Sequence, residues 1–170
     1  MQPFNLDLVK YSGTWYELMH YDSKKSWFQT SDNYNTTAVY QLTSSNTMSV
    51  TNTTWSAGKS FTSEGSATYL GETNFRVDFP MLEMVKLEMT GQFGSAPNYE
   101  HNILDPNYII KTIFHDHNND YMFSIVSDSD DMLWVLSRIP NPPKAYYDIL
   151  MRYMAENYDR KKLIQTPHFE

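Results

Sequence analysis

Up to Pro140 the apolar positions recur in short runs with a period near two, and beyond it the period lengthens. Residues 36–42, 48–55, 61–70, 73–79, 108–114, 121–126 and 132–138 are such runs, rich in Val, Thr, Tyr and Phe. Between them stand turn-formers: Ser44-Ser45-Asn46, Ala57-Gly58-Lys59, Gly71-Glu72, and residues 115–119 and 127–131. Short strands at this spacing predict an antiparallel meander closed as a sandwich or barrel. Alternation gives each strand an apolar face. It puts Phe75, Val77 and Phe79 opposite Asn74, Arg76 and Asp78, groups Met132, Trp134 and Leu136, and pairs Ala38 with Tyr40.

After Pro142-Pro143, a pair that suits a helix start, Tyr147, Ile149, Leu150, Met151, Tyr153, Met154 and Tyr158 recur mainly at three- and four-residue steps. This predicts one amphipathic helix over 143–158, packed outside the sheet, with a last short strand at 163–166. Residues 81–106 are the least regular stretch, punctuated by Gly91, Gly94, Pro97 and Pro106. A connection this long is usually functional or disordered.

Composition narrows the function classes. The 170 residues fit one domain, 1–170, large enough to bury a core without staples. With 13 Tyr, 9 Phe and 4 Trp, the chain favours pleated surfaces, and its 10 Met suit adaptable apolar packing. A net charge of −7 repels phosphate backbones and anionic membranes, so no nucleic-acid partner is expected. The absence of Cys removes thiol catalysis, thiolate metal sites and disulfides. It fits a cytoplasmic chain as well as a secreted one.

Three separated stretches resemble the signatures of the lipocalin family. Asn5-Leu6-Asp7 followed by Gly13-Thr14-Trp15-Tyr16-Glu17 is similar to its leading G-x-W motif. Asp120-Tyr121 resembles its T-D-Y motif, with Asn119 in place of Thr. The stretch from Leu133-Trp134-Val135-Leu136 to Ser137-Arg138-Ile139-Pro140 resembles its last-strand arginine motif. That stretch, and the tail from Tyr158-Asp159-Arg160 to Gln165-Thr166-Pro167, are most similar to the bacterial outer-membrane lipocalin and apolipoprotein D branch.

The resemblance implies an all-β fold: an eight-stranded antiparallel up-and-down calycin barrel over about 12–139, one C-terminal α-helix outside it, and a tail over 159–170. It implies that Gly13, Trp15, Asp120, Tyr121 and Arg138 are structural, with Arg138 packed across Trp15 at the closed end. It also implies a carrier of a small lipophilic ligand of fatty acid, lysophospholipid, retinoid or bilin type, with peripheral membrane association open to it; the alternatives are a lipid-modifying enzyme on the same barrel, or a filled barrel acting as a protein-interaction module. A mature chain acting outside the cytoplasm is the expected location. The expected lining is Ala38, Tyr40, Val50, Asn52, Phe75, Val77, Tyr108, Ile110, Met132 and Trp134, with Trp27 and Phe28 near the open mouth. Asn52, Thr54, Tyr40 and Tyr108 either orient a polar head group or bond each other and internal water. The 81–106 connection either lids the open end or is a surface insertion.

Other clusters carry less. His115-Asp116-His117 with Asp120 has metal-ligand chemistry but reads as a solvated turn, and no cofactor is expected. Asp128-Ser129-Asp130-Asp131 lacks the Gly and Glu of a calcium loop. Asn35-Thr36-Thr37 and Asn52-Thr53-Thr54 are glycosylation sequons, and an inward Asn52 would escape modification. No G-x-S-x-G or H-E-x-x-H occurs, so no enzyme is expected. Glu17 and His20 are the one candidate acid–base pair.

Overall fold

The computed structural model describes residues 5–21, 33–78, 106–128 and 132–169. Trp27, Phe28, Phe79, residues 81–105 of the long connection and residues 129–131 of the acidic turn lie outside them. Eight strands run antiparallel in chain order: β1 (Gly13–Tyr21), β2 (Tyr34–Leu42), β3 (Thr47–Ser56), β4 (Lys59–Gly71), β5 (Asn74–Asp78), β6 (Tyr108–His115), β7 (Tyr121–Ser127) and β8 (Leu133–Ser137). β1 pairs with both β2 and β8, so the sheet closes into a barrel and leaves none of these eight strands as a free edge. β2 to β8 fall where the period-two runs predict, within two residues at their ends.

Register orients the barrel. Gly13 lies opposite Tyr40 and Tyr16 opposite Thr37, so the start of β1 and the end of β2 share one mouth. A short helix α1 (Leu8–Tyr11) sits at that mouth, capped by the Asp7 carboxylate, which accepts from the amides of Val9 and Lys10. The Ala57-Gly58 hairpin lies at the other mouth. Both of its residues have positive φ, 51° and 78°, as a tight two-residue hairpin requires. Asp78, where β5 ends, lies opposite Ser66, and Tyr108, where β6 begins, lies opposite Phe75.

Alternation separates two cores. Inside the barrel lie Trp15, Ala38, Tyr40, Met48, Val50, Ala67, Phe75, Ile110, Tyr121, Val126 and Leu136, with Leu6, Leu8 and Tyr11 from the plug. Outside it, Leu18, Met19, Met122, Phe123, Ile125, Leu133 and Val135 meet Leu150 and Met154 of helix α2 (Lys144–Asn157). Every residue of β7 is buried, because one face meets each core. Bulges in β1 between Glu17 and Met19, and in β6 between Ile110 and Thr112, reset which residues face inward.

The helix forms where the longer period predicts it, but its buried face differs in one place. Ile149, grouped by spacing with the packing residues, is 57% exposed. Tyr146 packs against the outer core instead. Tyr146, Leu150 and Met154 follow the helical four-residue step, whereas Ile149 falls on the solvent side of that stripe. After α2, a 3-10 turn (Arg160–Lys162) leads into β9 (Leu163–Gln165), which pairs with the second half of β1. β9 takes the edge of β1 that β2 leaves free after Tyr16.

Candidate functional site

The floor of the barrel is a closed aromatic plug. Arg138 lays its guanidinium 3.8 Å from the centre of the Trp15 ring. Its Nη1 donates to the Thr14 carbonyl at 2.9 Å, and its Nη2 donates to the carbonyls of Ser12 and Lys10. The planar fork thus ties three backbone carbonyls around the first turn of the chain. Burial lowers the Arg138 pKa, and the fields of Tyr11 and Asp120 oppose that shift. Gly13 has φ +103°, and a Cβ there would stand 3.3 Å from Arg138 Nη1. Trp15 Nε1 donates to the Tyr11 carbonyl at 2.8 Å, and the amide of Asp7 donates to the Tyr121 hydroxyl at 3.0 Å. The family-motif residues therefore meet at one end of the molecule and hold it shut.

Above the floor, Tyr11, Tyr40 and Tyr108 bring their phenols together. Tyr108 Oη is 2.6 Å from Tyr11 Oη and 3.0 Å from Tyr40 Oη, and Tyr11 Oη is 3.0 Å from Ser124 Oγ. Phe75 and Tyr69 pack beside this chain of hydroxyls, with ring centroids 5.2 Å apart. Loss of hydration pushes the Tyr11 pKa up to about 12 and raises those of Tyr40 and Tyr108 well above the ordinary phenol value. Of the two roles open to Tyr40 and Tyr108, the structure shows mutual bonding. Thr36 and Thr54 likewise pair their hydroxyls at 2.6 Å.

The inner wall changes character towards the open mouth. Ala38 lies opposite Asn52, and Asn52 opposite Ser63; Tyr40 lies opposite Val50, and Val50 opposite Gly65. Residues opposite one another in an antiparallel pair share a face, so Asn52, Ser63 and Gly65 line the inside. Val77, Tyr108 and Trp134 pack on the inner core yet are only partly buried. Of the expected lining, Ala38, Tyr40, Val50, Phe75, Val77, Tyr108, Ile110 and Trp134 share this inner core. Met132 does not join it; it is buried just ahead of β8, its amide held by Asp128 Oδ1. Where the β5–β6 ladder stops, the Asn107 side chain continues it, donating to the Val77 carbonyl and accepting from its amide.

A polar cluster in the wall was only half visible in sequence. Glu17 and His20 are 4% and 2% exposed, with His20 Nδ1 3.3 Å from Glu17 Oε2. Glu17 lies opposite Leu136 and His20 opposite Trp134, both members of the inner face. Thr166, 4% exposed, donates its hydroxyl to the same Glu17 oxygen at 2.6 Å. The tail beyond β9 fills the gap between β1 and β2. Thr166 N–H donates to the Leu18 carbonyl, and Asn35 N–H to the Pro167 carbonyl. The Glu17–His20 spacing is legible in the chain, but nothing local announces Thr166, which is distant in sequence. The same holds for Tyr11, whose four-residue helix is too short to show a period.

The remaining candidates form turns. Asp116 accepts from the amides of Asn118 and Asp120, and the His115 ring packs edge-on against Tyr121. Among the described residues, no group of three His, Asp or Glu side chains is placed to hold a metal ion. No helix among them is long and apolar enough to cross a membrane.

Comparison with known proteins converges on one family. Residues 6–168 match the model of the lipocalin-like domain. A lipocalin-named protein of Acanthamoeba polyphaga mimivirus is 32% identical over 163 residues, covering 95% of this chain and 85% of that one. Among solved structures, the cockroach allergen Per a 4 superposes with a TM-score of 0.63 at 18% identity, over 98% of this chain and 91% of the allergen. Japanin from Rhipicephalus appendiculatus, solved with cholesterol bound, gives 0.58 at 12% identity, over 94% of each chain.

Proposed function

The chain belongs to the lipocalin family, and on that premise we propose that it binds a small hydrophobic ligand inside the barrel and carries or stores it. One observation carries this reading: the inner face is sealed by aromatic rings at the floor but stays partly exposed above them. There it is lined by Asn52, Ser63, Gly65, Val77 and Trp134, none of them fully buried. A barrel of eight strands holds one small ligand when its inner side chains are small, and removing apolar surface from water supplies the affinity. The ligand classes that fit are fatty acids, lysophospholipids, retinoids and bilins, and the arginine and tail motifs support the bacterial outer-membrane and apolipoprotein D branch.

Peripheral contact with membranes belongs to the same reading. Trp55 and Phe61, 37% and 58% exposed, flank the open-mouth hairpin, where a lipid would enter or leave. Action outside the cytoplasm is part of it too, as a carrier between membranes.

Titration of the delipidated protein with a fluorescent fatty acid, followed by Trp quenching, tests the reading. Competition by oleate, lysophospholipid, retinol and biliverdin then names the class. Saturable one-to-one binding, weakened in a folded Trp134→Ala variant, is the expected result. A folded protein that takes up none of these probes overturns it.

A further inference from the structure

The Glu17–His20–Thr166 cluster leaves one polar atom without a use. His20 Nε2 is buried and has no hydrogen-bond partner among the described residues. Burying a nitrogen without a hydrogen-bond partner is costly, so a native structure that keeps one has a reason or a missing partner. The rest of the ring is well placed. Nδ1 faces Glu17 Oε2, with Thr166 Oγ1 3.4 Å away, so the carboxylate holds the imidazole hydrogen on Nδ1. Nε2, at the opposite corner of the ring, then points away from Glu17 and Thr166. His20 lies opposite Trp134 on the inward face, and Trp134 is itself only partly buried.

We propose that this cluster is the polar anchor of the barrel, and that the group it receives is the hydroxyl of an apolar alcohol: a long-chain alcohol, a sterol or a retinol-type lipid. The inference rests on the carrier reading and deepens it. A hydroxyl both donates and accepts, so it satisfies Nε2 whichever protonation state the imidazole holds. A carboxylate only accepts, so with the imidazole hydrogen on Nδ1 it offers nothing to the Nε2 lone pair. Two acceptors facing one another in a poorly solvated site are costly, so the cluster selects against acid head groups. The hydroxyls of Tyr11, Tyr40 and Tyr108 are occupied with one another, whereas His20 Nε2 is the one fully buried side-chain nitrogen or oxygen without a hydrogen-bond partner among the described residues.

Two probes with the same tail test this: parinaric acid and the alcohol made by reducing it. Wild-type protein is expected to bind the alcohol about 10-fold more tightly, which is about 1.4 kcal/mol. His20→Phe, which keeps a ring but no nitrogen, is expected to remove that preference by weakening the alcohol alone. His20→Gln, which keeps a polar end, is expected to retain part of it. In wild-type protein the 15N resonance of His20 Nε2 should move on adding the alcohol and stay in place with the acid. Equal binding of the two probes, or equal weakening of both by His20→Phe, overturns the anchor and leaves the carrier reading standing. Binding of neither probe by folded wild-type protein overturns the carrier reading and the anchor together.

Discussion

The Arg138 guanidinium covers the Trp15 ring at 3.8 Å while tying the carbonyls of Lys10, Ser12 and Thr14. One side chain thus joins the end of the last barrel strand to the chain's entrance into the first. Cation–π attraction contributes ~0.5–2 kcal/mol, and hydrogen bonds from a charged donor ~1.5–3 kcal/mol each before overlap between them is discounted. Arg138→Ala is therefore expected to cost about 3 kcal/mol in urea unfolding, since removing the fork also leaves three half-buried carbonyls without their donor. Arg138→Lys should recover less than half of that, because an ammonium cannot span three carbonyls and lie flat on an indole. A lysine variant as stable as wild type would show that charge alone, not the planar fork, closes the barrel.

Gly13 offers a finer test of the same closure. Its φ of +103° penalises any side chain, and the added Cβ would press on Arg138 Nη1 at 3.3 Å. Gly71 has nearly the same φ, +102°, with nothing within 4 Å of its would-be Cβ. Both Ala substitutions pay ~1–3 kcal/mol of backbone strain. The excess loss in Gly13→Ala over Gly71→Ala measures displacement of the guanidinium, and it should vanish when both are made on an Arg138→Ala background. An equal loss at the two glycines in wild type would mean the arginine gives way freely.

The strands and the inner faces were legible because a sheet writes its burial pattern at every second residue. Phe75 with Val77, and Trp134 with Leu136, share a face in the chain and in the fold. Where the barrel bends, that arithmetic fails. The bulge after Glu17 carries both Leu18 and Met19 to the outer core and returns His20 to the inside. Strict alternation would have turned His20 outward. Thr166 was hidden for another reason: it reaches Glu17 across 149 positions, and no local period encodes a contact of that span. The triad was thus half readable, as a Glu and a His three apart, while the group that completes it depends on where the tail comes to rest.

Helix α2 is held by a narrow stripe. Leu150 and Met154 are fully buried against Phe123, Ile125 and Val135, while Ile149 stands 57% exposed. Leu150→Ala and Met154→Ala should each cost ~2–5 kcal/mol, the range for emptying a packed core position. Ile149→Ala should stay within about 0.5 kcal/mol of wild type, as surface changes do. Thermal or urea unfolding of the three variants checks the stripe. A large loss at Ile149 would place a partner on the outer face of the helix.

The three bonded phenols of Tyr11, Tyr40 and Tyr108 give the barrel an alkaline limit. Desolvation raises Tyr11 to about 12, and it raises Tyr40 and Tyr108 in the same direction. In the unfolded chain each titrates near 10. Below that value both states keep the proton, and the contribution of these groups to stability is intact. As pH rises past about 10 the unfolded chain releases protons that the fold retains, so stability falls, and for Tyr11 the fall ends near 12. Each phenol contributes a slope of ~1.4 kcal/mol per pH unit, or ~4 for the three together. Urea midpoints should therefore be insensitive to these groups up to about pH 9.5 and drop steeply above it. Tyr108→Phe should lower stability at neutral pH by ~1–2 kcal/mol, because the hydroxyls of Tyr11 and Tyr40 each lose a partner. It should also cut the alkaline slope by about a third, since one of the three retained protons is gone. The phenolate absorbance of folded wild-type protein provides the independent check. If all 13 tyrosines ionise together near pH 10, the phenols are not sealed in the barrel and the alkaline limit has another source.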